Sequence, residues 1–277
     1  MVHRPASLAP TQIARRGFLL ACGAGLALPA VSQVNVGQPS RLRSLVPADE
    51  IEAASTKQYA ELLQEARSKH ALAPPNHPQL RRLRAIASRL EVDAPRWNPR
   101  AREWRWEVNL IGSKQVNAFC MPGGKIAVFT GLLDQLKLTD DETAMVLGHE
   151  MAHALREHAR ERIAKSEGTG ALLSLGAQLL GLGQLGNAAA NLGTQLLTLK
   201  FSRDEETEAD LVGLEMGARA GFDPKAAITL WQKMERVSGS SGSAFLSDHP
   251  SGTNRLRILR DNIPRVEGLY REAIARR

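Results

Sequence analysis

Cysteine is almost missing from this chain: Cys22 and Cys120 are the two among 277 residues. If residues 1–32 are removed as a leader, one thiol remains, which excludes an intramolecular disulfide scaffold. Aromatic side chains are scarce at 4%, although 43% apolar and 23% charged residues suit an ordinary soluble globule. A strong charge of one sign is also lacking. The formal +7 includes Arg4, Arg15 and Arg16 of the leader, and the remainder carries 33 basic against 29 acidic residues. That surplus is too weak to point to a nucleic-acid partner. No internal repeat is evident, and the length suits one large domain with an N-terminal arm.

A clean membrane span is lacking as well. Residues 168–199 carry no charge, but seven Gly and five Gln or Asn interrupt them. They read as ordinary core or as two Gly-broken apolar helices covering a site. The same apolar surface supports an alternative function, a periplasmic chaperone or assembly factor that binds clients through residues 168–199.

At the N-terminus, Arg15-Arg16-Gly17-Phe18-Leu19 leads into a short uncharged run that ends in Ala30-Val31-Ser32. Residues 1–32 therefore read as a twin-arginine-like export signal peptide, cleaved near Ser32, which places the mature chain in the periplasm. Leu19-Leu20-Ala21-Cys22 supports the alternative of a lipoprotein anchored at Cys22. Residues 33–48, with Gly37, Pro39 and Pro47, read as a linker.

The spacing next predicts helices over about 48–70 and 78–92. The second has an apolar stripe of Leu80, Leu83, Ile86, Ala87 and Leu90. Strands follow in WRWEVNLIG, in 115–120 and in KIAVFTG, with Pro122-Gly123-Gly124 turning the chain between the last two. Thr139 and Glu142 form a capping box that fixes the start of a helix. Further on, Pro224 opens a helix predicted to run to about Val237, a Ser/Gly-rich loop spans 238–243, and a basic helical tail closes the chain. The tail arginines offer a possible peripheral membrane contact, although such charges usually solvate a helix.

The capped helix carries His149-Glu150-Met151-Ala152-His153. Residues four apart share a helix face, so two neutral imidazoles there can hold one Zn2+ ion. Glu150 lies beside them and can take a proton from water activated by that ion. A catalytic zinc takes three protein ligands. The third-histidine pattern HExxHxxGxxH fails here, with Arg156 and Ala159 at the diagnostic positions. His158 lies roughly 140° round the helix from His153 and reads as a packing or surface residue. The acidic cluster at 204–210 is the better source. Glu206 and Asp210 are four apart, whereas Glu208 points roughly the opposite way. One of the pair can bind the metal while the other accepts the ring N–H of a ligand histidine. Near such a site, His249 and Arg255 can stabilise an oxyanion, and His249 can instead fill the open metal position and gate it. The strand Asn117-Ala118-Phe119 can pair with an extended substrate through main-chain hydrogen bonds.

HEMAH, then SRDEETEAD (SRxxExxAD), then DHPSGTNR (HPxxxxR), together with QVNAFCMPGGKIAVFTGLL, resemble the zinc endopeptidases that include HtpX, the CAAX-prenyl endopeptidases and BepA. The resemblance runs from about Asn109 to Arg260. It implies that Glu206 is the third zinc ligand, that Asp210 is its outer partner, and that His249 and Arg255 lie near the metal. It also implies a soluble, exported branch without the helical-repeat domain that BepA-like proteins carry. The expected fold is α+β and predominantly helical, a zincin-like metallopeptidase domain over 49–277 with a small antiparallel sheet. The expected activity is a metalloendopeptidase of the His-His-Glu type, with one zinc per chain and polypeptide substrates, chiefly unfolded or misassembled envelope proteins.

Overall fold

Helix α4 (Asp140–Leu155) is the element around which the others pack, and from Glu142 to Leu155 every residue is buried. Its start is set locally. The Thr139 hydroxyl accepts from the Glu142 amide at 3.2 Å, and the Glu142 carboxylate accepts from the Thr139 amide at 2.9 Å. A helix buried on all sides must find its stability in neighbours rather than in amphipathic patterning. In this computed structural model, which describes Met1 and residues 34–167, 200–241, 244–249 and 254–277, those neighbours form one compact unit, Val31–Arg277. The leader, Cys22 and residues 168–199 lie outside the described residues.

Helix α1 (Ala48–Ser68) and helix α2 (Pro78–Glu91) precede the sheet, and all five positions of the predicted α2 stripe are buried. The sheet has three strands, β1 (Glu107–Ile111), β2 (Ala118–Met121) and β3 (Lys125–Phe129), in the order β1-β3-β2. The expectation of an antiparallel sheet needs correction, because β1 pairs with β3 in parallel while β2 pairs with β3 antiparallel. The Pro122-Gly123-Gly124 turn makes a β2–β3 hairpin, and the connection 112–117 carries β2 past β1. The apolar β3 can then take the central place, where both of its edges are paired and its burial is greatest.

Beyond the sheet, α3 (Thr130–Leu136) leads into α4, and α5 (His158–Glu167) follows it. Helix α6 (Arg203–Arg219) begins with a second capping box, Ser202 with Glu205. Helix α7 (Ala226–Ser241) runs four residues past the predicted end at Val237, so most of the Ser/Gly-rich stretch is helical. Helix α8 (Ala244–Asp248) and helix α9 (Arg255–Ala275) complete the described chain. Among the described residues, no helix is long and apolar enough to cross a membrane.

Two contacts position the site. Helices α4 and α6 meet backbone to backbone at Gly148 and Gly213. A Cβ on Gly213 would lie 2.6 Å from the His149 amide nitrogen, and one on Gly148 would lie 2.9 Å from the Gly213 carbonyl. The second contact is made by the N-terminal segment. Val34 is buried and its amide donates to the buried Glu215 carboxylate at 2.8 Å. Arg43 pairs with Glu157 at 2.6 Å, and Arg160 donates to the Val46 carbonyl. Val34 and Val46 are buried against the domain, where the buried Glu215 and the half-buried Arg160 take an amide and a carbonyl of this segment as partners.

Candidate metal centre

The close crossing of α4 and α6 brings HEMAH opposite the acidic start of α6. His149 and His153 project from α4, Glu206 from α6, and His249 follows α8. All four are buried, and one ligand atom from each lies within 4.8 Å of the others. His149 Nε2 is 3.2 Å from His153 Nε2 and 3.5 Å from Glu206 Oε2. His153 Nε2 is 3.4 Å from Glu206 Oε1. His249 Nδ1 lies 3.3 Å from His149 Nε2 and 2.9 Å from Glu206 Oε1.

These spacings fit a metal. Donors held 2.0–2.1 Å from a tetrahedral ion are separated by about 3.3 Å, and imidazole with carboxylate is a donor set that zinc accepts. The outer hydrogen bonds support the same conclusion. His149 Nδ1–H donates to Asp210 Oδ1 at 3.0 Å, which leaves the Nε2 lone pair directed at the cluster. Lone pairs of two imidazoles converging on a carboxylate, buried from water, are favourable only around a cation. Glu150 supplies a further sign: its Oε1 is buried without a hydrogen-bond partner and lies 3.6 Å from His249 Nε2. An acceptor held bare beside the cluster is positioned to receive a proton from a water in it.

Burial and charge act differently on each member. For Glu206, burial favours the neutral form, but hydrogen bonds with His153 and His249 outweigh it and hold the carboxyl far below the usual range. Burial raises Glu150 above its ordinary value, against the opposing pull of His249 and His149. Burial likewise drives His153 well below a normal imidazole, keeping it neutral as a metal ligand must be. His249 moves the other way, because Glu150 and Glu206 beside it overcome the burial cost.

Arg255 locks the outer side. Its Nε donates to Asp210 Oδ2 at 2.6 Å, and its Nη2 donates to Asp210 Oδ1 and Glu206 Oε2, both at 2.9 Å. The guanidinium carbon sits 3.3 Å over the Trp231 ring, and the buried Nη1 has no partner. Ala118 and Phe119 lie on the edge strand β2, which packs against α4, and Asn117 immediately precedes it. The Asn117 carbonyl accepts from the Phe129 amide at 3.1 Å. In an antiparallel pair alternate residues face the partner strand, so the Ala118 backbone faces outward. Its amide donates to the Asn117 side chain at 2.9 Å.

Several contributors were not read from the sequence. Phe201 stacks on His153 at 3.9 Å, and Phe245 stacks on His249 at 4.6 Å. The Phe245 amide donates to the Val116 carbonyl at 3.2 Å, which ties the His249 segment to the connection that leads into the edge strand. His158 and Glu208, set aside on helical angle, are both beside the site. No local pattern marks the aromatics, but the spacing of His158 after His153 was a signal for an outer partner.

Comparison with known proteins agrees with this geometry. The chain is 42% identical over 166 residues to the mitochondrial metalloendopeptidase OMA1 of Schizosaccharomyces pombe, covering 59% of this chain and 48% of that protein. It is 32% identical over 202 residues to the metalloprotease LoiP of Escherichia coli, covering 72% and 77%. The metalloprotease YcaL of Escherichia coli is 27% identical over 164 residues, covering 54% and 59%. The chain spans about half the length of the fission-yeast protein it matches. The description of peptidase family M48 matches residues 77–263, which include α2, the sheet, HEMAH, the acidic helix and Arg255. The convergence of histidines and carboxylates between α4 and α6 thus has its place in a known lineage, and this chain belongs to peptidase family M48.

Proposed function

We propose that this protein is a zinc-dependent endopeptidase that hydrolyses misfolded or misassembled envelope proteins in the periplasm. The observation that carries the reading is the meeting of His149, His153 and Glu206 with the unpartnered Glu150 oxygen. His149, His153 and Glu206 hold the metal, and Asp210 fixes the tautomer of His149. When bound, zinc supplies Lewis acidity that polarises a scissile carbonyl and makes water nucleophilic at neutral pH. Glu150 Oε1 takes the water proton and later returns it to the leaving amine. Arg255 Nη1 is the donor left free for an oxyanion once Asp210 and Glu206 have taken the other nitrogens. The outward-facing Ala118 backbone on β2, flanked by Asn117 and Phe119, pairs with an extended polypeptide.

His249 completes a four-group set in which each member is within reach of one ion. With the ion bound, His249 would be its fourth protein group in the resting protein and would have to withdraw to admit substrate. The leader supports export and processing near Ser32; mass spectrometry of the mature N-terminus distinguishes this from an anchor at Cys22.

The decisive experiment measures zinc content and cleavage of casein by the wild type and Glu150→Gln. The variant is expected to keep one zinc per chain and lose cleavage by at least about 100-fold. Unimpaired cleavage by Glu150→Gln would refute the mechanism.

A further inference from the structure

His158 opens α5, five residues after His153, and is buried at 1% relative exposure. Its Nδ1 lies 2.9 Å from His153 Nδ1, and its Nε2 lies 3.3 Å from Glu208 Oε2. The same Glu208 oxygen accepts from Arg156 Nε at 2.8 Å. Arg156 in turn donates through Nη2 to the carbonyls of Gly37 at 3.1 Å and Val36 at 3.4 Å. These groups form a continuous chain from the metal cluster to the N-terminal segment.

Protons can be placed along that chain in one consistent order. With the His153 Nε2 lone pair directed at the cluster, its Nδ1 carries the hydrogen and donates to His158 Nδ1. An imidazole that accepts at Nδ1 carries its own hydrogen at Nε2, and that nitrogen faces the Glu208 carboxylate. Glu208 is acceptor-only when ionised and is satisfied by His158 and Arg156 together.

We infer that His158 is a positioning residue for the metal ligand His153, forming with Glu208 and Arg156 a relay that fixes the tautomer and ring orientation of His153. The two helical histidines are thereby oriented by different means. His149 donates directly to the carboxylate of Asp210, whereas His153 reaches the carboxylate of Glu208 through a second imidazole. Orientation of a ligand imidazole by the group bonded to its other nitrogen contributes to metal affinity. This inference rests on the metal reading of the site.

The test measures zinc dissociation constants by competition with a chelator, and the absorption spectrum of the cobalt-substituted protein. His158→Phe keeps an aromatic ring against Phe201 but cannot accept from His153. It is expected to weaken zinc binding about 10- to 100-fold and to shift the cobalt bands. His158→Gln retains an acceptor oxygen and is expected to stay within about tenfold of wild type. Glu208→Gln lies at the part-exposed end of the relay, where folding is not at risk, and is expected to weaken zinc several-fold. Wild-type affinity and an unchanged cobalt spectrum in both His158→Phe and Glu208→Gln would overturn the relay, leaving the metal reading intact. Failure of the wild-type protein to bind zinc, or wild-type affinity in His149→Ala, would instead overturn the metal reading.

Discussion

The two sides of the metal centre are supported in different ways. On one side, His149, His153 and Glu206 project from helices α4 and α6, which cross so closely at Gly148 and Gly213 that neither glycine has room for a side chain. Asp210 and Arg255 brace that side with bonds of 2.6 and 2.9 Å. On the other side, His249 follows the five-residue helix α8. Its amide donates to the Phe245 carbonyl at 2.8 Å, and the Phe245 amide donates to the Val116 carbonyl just before the edge strand. Ligands on packed helices cannot move without moving the core. A ligand on a one-turn segment can move by breaking a few local contacts. The contrast supports the proposal that three groups hold the ion permanently and that His249 exchanges.

That contrast can be broken most forcefully at Asp210. Asp210→Ala leaves the buried Arg255 short of its main partner and frees His149 Nδ1, so a loss of about 3–5 kcal/mol is expected. Urea denaturation with a parallel zinc titration measures it, and a wild-type midpoint would show that the brace is dispensable. Gly213→Ala drives a methyl into the α4 backbone. It is expected to cost about 1–3 kcal/mol through overpacking and to weaken zinc as the helices separate; calorimetry of the apo and zinc forms checks both effects.

Glu142 sharpens the same side through its pH dependence. Burial raises its pKa, but the bonds from Lys233, the Thr139 amide and Thr229 reverse this and leave it below its ordinary value of 4.5. A depressed carboxylate contributes stability that is present above the unfolded pKa and is lost as pH falls through the folded one. Glu142→Gln is therefore expected to cost about 1–2 kcal/mol at pH 7 and progressively less in acid below about pH 4.5. Denaturation curves at pH 7 and pH 3 compare the two; an equal gap at both would remove the Lys233 bridge from the account. The smallest effect on stability is expected at His249, where replacement by Ala should cost about 1 kcal/mol while raising basal cleavage of casein several-fold. Unchanged cleavage and unchanged zinc geometry in His249→Ala would remove both roles proposed for it.

Local features were the most legible in the sequence. The Thr139–Glu142 box starts α4 where its residues require, and the α2 stripe is buried along its length. Both depend on interactions within four residues. The sheet was legible as three strands but not as a mixed one. Strand order depends on which strand gains most from two paired edges, and that is a property of the assembled sheet. The end of α7 was missed because Ser and Gly mark breaks only when tertiary contacts do not extend the helix. His158 was set aside because helical angle describes one straight helix, whereas α4 ends at Leu155 and Glu157 takes a positive φ of 60° before α5 begins. That break turns His158 back toward His153.

The sequence by itself determined the metal-binding chemistry: two imidazoles and a base at helical spacing, with a carboxylate pair four residues apart. Ligand type and spacing are covalent facts and need no fold to be read. The tertiary structure alone decided how these groups meet. Two glycines, sixty-five residues apart in the chain, let α4 and α6 approach until His149, His153 and Glu206 converge, and the segment after α8 brings His249 to the same point. The hydrogen-bond partners that orient those donors, Asp210, His158 and Arg255, come from α6, α5 and α9, and only packing brings them into hydrogen-bond reach of the cluster.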